Sequence, residues 1–197
     1  MSSNIKYDIA NRAAALIVDE GMEYGPAKKQ AVQELGLPHR TELPDHDLML
    51  AAVREHIAIF CAESQAQELA ILRDMALVWM RRLAQFRPHI SGAIWNGTAT
   101  QYSDIHLNLY CDDPKLAQFQ VLDMGSRFEE SSNYDSLGRE VACLVLPLHS
   151  PQLNIRVMLM LTFLDFDELK GALKKDSNQE PIRGDIKALE LRVRQNS

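Results

Sequence analysis

The chain has 197 residues, and 21 Lys+Arg against 27 Asp+Glu give a formal net charge of −6. Apolar residues at 46% and charged residues at 24% fit a globular protein, and a chain of this length folds without needing disulfides or a metal. The acidic balance argues against broad nucleic-acid binding.

The first 87 residues read as helical. Asn4–Glu20 places Ile5, Ile9, Ala13, Leu16 and Ile17 on one face and stops at Gly21, a natural C-cap. A second helix opens at Gly25-Pro26 and closes at Gly36, and Pro38 prevents its continuation. A third follows Pro44, with Asp45 or Asp47 as N-cap, and runs to about Cys61. Ser64-x-x-Gln67 is a capping box opening the longest helix. In that helix Leu69, Leu72, Ala76, Trp79, Leu83 and Phe86 form a stripe halted by Pro88. The stripe is too short for a sustained coiled coil and predicts packing on a sheet or a neighbouring helix.

Beyond Pro88 the period changes. His89–Ala93 and Ile105–Tyr110 read as strands, the second alternating apolar with polar. Asp113-Pro114 opens a helix to about Met124, and Arg127–Glu130 reads as a short strand. Val141–Leu148 and Asn154–Phe163 are apolar runs broken by His149-Ser150-Pro151-Gln152, which suggests a hairpin or meander. Short helices over Asp165–Lys174 and Asp185–Arg194 close the chain, with a polar loop between them. The expected architecture is α/β (α+β): a mixed sheet of four or five strands with helices, preceded by a helical extension. Its divisions are a helical extension over 1–87, a sheet domain over 88–175, and a C-terminal loop and helix over 176–197.

Cys61, Cys111 and Cys143 stand singly in apolar surroundings, as buried thiols of a reducing compartment do. The opening MSSNIKYDIANR lacks a basic n-region and an apolar h-region. No stretch of 18 apolar residues exists to span a membrane. A cytoplasmic location without a membrane partner is the expectation.

The stretch that carries chemistry is Gly92-Ala93-Ile94-Trp95-Asn96-Gly97 followed by Ser103-Asp104-Ile105-His106-Leu107. Small residues at a strand exit let backbone N–H groups approach a phosphate, and an acid opening the next strand can hold a Mg²⁺ bridging those phosphates. Residues 104 and 106 share a face, so acids at both would form a metal cradle.

This window resembles the signature of the nucleotidyltransferase superfamily, the polymerase-beta-like fold, whose small bacterial members read G-S-x-x-x-G-x-x-x-x-x-S-D-[IV]-D-L. Gly92, Gly97, Ser103, Asp104, Ile105 and Leu107 agree in type and spacing. The likeness covers about Pro88–Leu164, and Asn11–Phe60 is more weakly similar to the helical leader of bacterial proteins that carry this domain. It implies nucleotide binding by Gly92, Ala93, Gly97 and Ser103. It also implies catalysis at Asp104 and His106, with a metal on Asp104, and an NTP with Mg²⁺ or Mn²⁺. The chain departs from the pattern where it matters for metal. Ala93 replaces the serine, His106 the second acid, and Asn154 and Arg156 stand where the third acid is expected. Imidazole serves Mg²⁺ poorly and arginine repels it. If Arg156 faces this pocket, an Arg156–Asp104 ion pair is the expected replacement for the metal site, and in that degenerate state no cofactor is required.

Three functions stay open: binding of a nucleotide or an unknown protein partner without efficient turnover; active nucleotidyl transfer from an NTP to a small-molecule, RNA or protein acceptor, with Glu129 or Asp112 completing the site; and a non-enzymatic assembly role. Each singled-out residue also has a plainer role. Asp104 can cap a turn, His106 can be structural, and Gly92 and Gly97 can serve turn geometry alone. Trp95 can cover the sheet rather than stack on a base. Arg81, Arg82 and Arg87 can form a solvated face rather than a basic patch. Asp112-Asp113 can cap a helix, and Glu129-Glu130 can guard a sheet edge.

Overall fold

The computed structural model describes residues 2–125, 127–135, 137–172, 175 and 179–195. By packing, the chain divides into Met1–Ala66 and Gln67–Ser197.

The first unit is helical. Helix α1 (Ser2–Glu20), α2 (Tyr24–Glu34) and α3 (His46–Phe60) share a core of Ile9, Ala13, Leu16, Ala31, Met49 and Val53. Gly21 at φ 70° ends α1 as expected from the sequence. Of the two candidate caps of α3 it is Asp45 that acts, its side chain accepting from the Leu48 N–H at 2.9 Å.

The second unit contains all but the first two residues of α4 (Gln65–Arg82), a 3₁₀ turn over Ala84–Phe86, and the strands β1 (Pro88–Ser91), β2 (Ile105–Cys111), β3 (Glu129–Tyr134), β4 (Glu140–Ser150), β5 (Ile155–Asp165) and β6 (Arg183–Gly184). Helix α5 (Gly92–Asn96) joins β1 to β2, α6 (Pro114–Leu122) follows β2, α7 (Leu169–Ala172) follows β5, and α8 (Ile186–Gln195) closes the chain. The expected helix over Asp165–Lys174 is a 3₁₀ turn (Phe166–Glu168) and α7; residues 173–174 at its end, and 176–178 of the following loop, lie outside the described residues.

Strand order is β3-β4-β5-β2-β1-β6. All neighbours are antiparallel except β2 and β5, which run parallel with His106 beside Met160. The mixed α/β class therefore holds, with six strands among the described residues rather than four or five because the two-residue β6 joins the edge. The Val141–Leu148 and Asn154–Phe163 runs pair as the expected hairpin.

The α4 stripe determines how this unit is organised. Leu69, Leu72, Ala76, Trp79, Leu83 and Phe86 are all buried in one core with Ile90, Leu107, Leu159, Leu161 and Phe163 of the sheet. This face has no room left to serve as an oligomer seam. It also means that α4 goes with the sheet, whereas the sequence placed the division at residue 87, where the strands begin. At 18 residues α4 is one shorter than the 19-residue α1, so it is not the longest helix.

Side-chain alternation leaves the opposite face of the sheet for Ser91, His106, Asn108, Tyr110, Arg156, Met158 and Met160. One end of this face is covered: Tyr110 and Leu164 are buried there with Val141 and Leu169. The end where β2 begins lies open, with His106, Met158 and Met160 half-buried and Arg156 and His149 exposed.

Cys111 and Cys143 are buried and Cys61 is half-buried, all three as thiols. Burial pushes the Cys111 thiol up from 9.0 to about 11. At pH 8 a thiol reagent should therefore modify Cys61 first, with Cys111 and Cys143 reacting only on unfolding. The sign for stability follows: between pH 9.0 and about 11 the folded chain keeps a proton that the unfolded chain releases, so stability falls as pH rises through this window. A urea-midpoint titration across it measures the loss.

Candidate functional site

The residues of the Gly92–Leu107 window fall into two groups that face different surroundings. The first lies at the open end of the sheet. Gly92 leaves β1 at φ 72°, and a Cβ placed on it would stand 3.7 Å from Cδ2 of His106. That is ordinary contact distance, so it is the positive φ and not a lack of space that favours glycine here. Ala93 follows in the first turn of α5, half-buried. Ser91 is the register partner of His106, and its Oγ accepts from Asn108 Nδ2 at 3.1 Å.

Asp104 belongs to this first group. It precedes β2, and its Oδ1 accepts from the Met158 backbone N–H at 3.0 Å, extending the β2–β5 ladder by a side chain. The ion pair with Arg156 expected from the sequence does not form. The β2–β5 register sets Met158 beside Asp104 and Arg156 two residues away, opposite His149 of β4. Among the described residues Asp104 makes no salt bridge.

The second group is Gly97 and Ser103. Gly97, at φ 86°, caps α5, and its N–H and those of Thr98 and Ala99 all donate to the Ala93 carbonyl at 2.9–3.1 Å. Ser103 Oγ accepts from the Thr100 N–H at 3.0 Å, and the Gln101 N–H donates to Glu68 at 2.8 Å. These amides are engaged inside the protein. Of the four positions expected to meet a nucleotide, Gly92 stands at the open end, Ala93 packs against the helix-side core, and Gly97 and Ser103 shape the loop behind it.

Sequence reasoning missed the side chain beneath this loop. Arg73 of α4 is only 3% exposed and donates Nε–H to the Ile94 carbonyl at 3.2 Å. Arg192 of α8 donates to the Trp95 carbonyl at 3.3 Å and stacks 3.9 Å from the centroid of the Trp95 ring. Two guanidinium groups thus meet the carbonyl end of α5, where the helix leaves acceptors without partners. Burial, and then the neighbouring Arg192, hold Arg73 below the ordinary arginine value. A signal was available: Arg73 is four residues after Leu69 and three before Ala76, on the apolar face of α4.

The remaining candidates take the plainer of their alternatives. Trp95 is in the helix-side core, donating Nε1–H to Pro181 O at 2.6 Å, and does not face the open end. Arg81 pairs with Glu190 at 2.7 Å, Arg82 lies over Trp79 at 4.9 Å, and Arg87 pairs with Asp112 at 3.4 Å. Asp113 caps α6 by accepting from the Leu116 N–H at 2.9 Å. Glu129 and Glu130 are exposed on the edge strand β3.

Compared with protein-family models, with curated proteins and with solved structures, the chain has no match. The site therefore has to be read from its own chemistry. Among the described residues no group of three His, Cys, Asp or Glu side chains converges to hold a metal ion. Neither acid named as a helper stands beside Asp104. Glu129 is aligned with His106 through Val145 and Met160, about 14 Å away over three strand spacings. Asp112 follows the far end of β2, eight residues on, and is paired with Arg87. A cavity of about 420 Å³, lined by Lys115, Arg139, Phe163, Asp165 and Glu168 among others, also opens at that far end of β5. Among the described residues no helix is long and apolar enough to cross a membrane.

Proposed function

We propose that this chain is a nucleotidyltransferase-like protein that binds a nucleotide, or a protein partner, at the open end of its sheet without efficient turnover. The observation that supports this reading is the state of Asp104. A two-metal centre brings +4 of charge within about 3.5–4 Å, and hard divalent ions need several oxygen ligands. The donor set here is one carboxylate already accepting a backbone N–H, with an imidazole two residues on and a guanidinium on the same face. That set does not suit a pair of Mg²⁺ ions. A Mn²⁺ or Mg²⁺ arriving with an NTP would have Asp104 as its protein carboxylate, and the active-enzyme reading rests on that one group. The assembly reading loses its main motive because the α4 stripe is buried within its own unit.

A thermal-shift and turnover experiment separates these readings. Nucleotide at 100-fold its dissociation constant should stabilise the protein by about 2.7 kcal/mol. Labelled ATP, GTP, CTP or UTP with Mg²⁺ or Mn²⁺ should leave no nucleotidyl group on any acceptor. Incorporation that disappears in Asp104→Ala would establish the active enzyme instead. No shift with any nucleotide would remove the nucleotide from the proposal.

A further inference from the structure

We infer that the open end of the sheet takes a triphosphate chain directly, through His106 and Arg156, with no divalent cation between ligand and protein. This rests on the nucleotide reading above and adds how the phosphates are held. Three observations carry it. The acid at this end, Asp104, has its Oδ1 directed into the ladder at Met158 N. Among the methionines and neutral polar groups of the open face, three basic side chains flank this link: His106 two residues beyond Asp104, Arg156 two residues before Met158, and His149 as the register partner of Arg156. Gly92 is exposed and places no side chain beside the His106 ring.

The spacing selects the ligand class. His106 is aligned with Met160, four residues from Arg156, so their Cα atoms are about 14 Å apart. A single phosphate cannot touch both. A triphosphate chain lying along the strand direction, met by an extended arginine side chain, spans the gap. Arginine also holds phosphate oxygens in a two-pronged hydrogen bond, so it can replace a cation as the neutralising group. A Mg²⁺ ion carried in by the ligand meets Arg156 and is repelled by it.

The experiment is calorimetric titration of the whole chain with ATP, inorganic tripolyphosphate and adenosine, each in EDTA and in excess Mg²⁺. The expected result is that ATP and tripolyphosphate bind in EDTA at least as tightly as with Mg²⁺, and adenosine does not bind. Arg156→Gln should weaken ATP by about tenfold in EDTA with an unchanged melting temperature, because Arg156 is exposed and its loss removes a charge-assisted contact and no packing. ATP binding that vanishes in EDTA overturns the inference and leaves the nucleotide reading standing. The inference is overturned in the same way if adenosine binds as well as ATP, or if Arg156→Gln binds ATP as the parent does. Failure of ATP and tripolyphosphate to bind in either buffer overturns both the reading and the inference.

Discussion

Replacing Leu72 by Ala is expected to lower the stability of the sheet unit by about 2–5 kcal/mol. Leu72 is fully buried in α4, in the core that also holds Ile90, Leu107, Leu159 and Phe163. Truncation removes the side chain's transfer free energy and leaves a cavity that helix and sheet cannot both close. The control is on the same helix: Val78 is 62% exposed, and Val78→Ala should change stability by no more than about 0.5 kcal/mol. The readout is local, because both tryptophans, Trp79 and Trp95, are buried in this core and their fluorescence follows its unfolding. A loss at Leu72 no larger than at Val78 would mean that α4 does not belong with the sheet.

The stripe behind that expectation was legible because helical contact follows from local spacing. Residues three and four apart share a face whatever the rest of the chain does. The same holds for β2, whose alternation marked Ile105, Leu107 and Leu109 as the inward set. The boundary between units was less legible, because a change of period at Pro88 marks where strands begin and not which elements pack together. Helix α4 has the periodicity of the helices before it and the burial of the sheet that follows it.

Strand neighbours depend on contacts far apart in sequence, and there the reading of the site diverged from the structure. Nothing local states that β5 runs parallel to β2 or that its register sets Met158 beside Asp104. Arg156 is the partner expected for Asp104 from its place at the expected third acid. The ladder supplies a backbone N–H two residues nearer, and a carboxylate facing a free N–H at a strand end accepts it. The loop amides show the same gap. The Ala93 carbonyl gathers three N–H groups from residues 97–99, a closure that no motif spacing reports, and it removes Gly97 from the set able to meet a phosphate.

Gly184→Val should destabilise the sheet unit by at least about 1–3 kcal/mol, while Gly25→Ala should change stability by less than about 1 kcal/mol. The difference comes from what each glycine touches. A Cβ at Gly184 would fall inside contact distance of three carbons of the Trp95 indole, the farthest of them at 2.7 Å, so the ring has to move. The ring is held by its Nε1–H to Pro181 O at 2.6 Å and by Arg192 stacked at 3.9 Å. It also belongs to α5, so displacing it disturbs the segment that starts at Gly92 and presents the open end of the site. The variant should therefore lose stability, the native tryptophan near-ultraviolet signal and ligand affinity together. Gly25 sits within α2 without a positive φ, and a Cβ added to it would meet nothing within 4 Å beyond its own chain neighbours. Alanine there gains helix propensity of up to about 1 kcal/mol, offset by the crowding of its Cβ against the Pro26 ring that follows. Urea melts of both variants, followed by tryptophan fluorescence for Gly184→Val and by helical circular dichroism for Gly25→Ala, test the contrast. A Gly184→Val protein that keeps the parent's midpoint and tryptophan signal would show that the C-terminal segment does not clamp Trp95, and with it the case that β6 and α8 hold the glycine turn in place would fail.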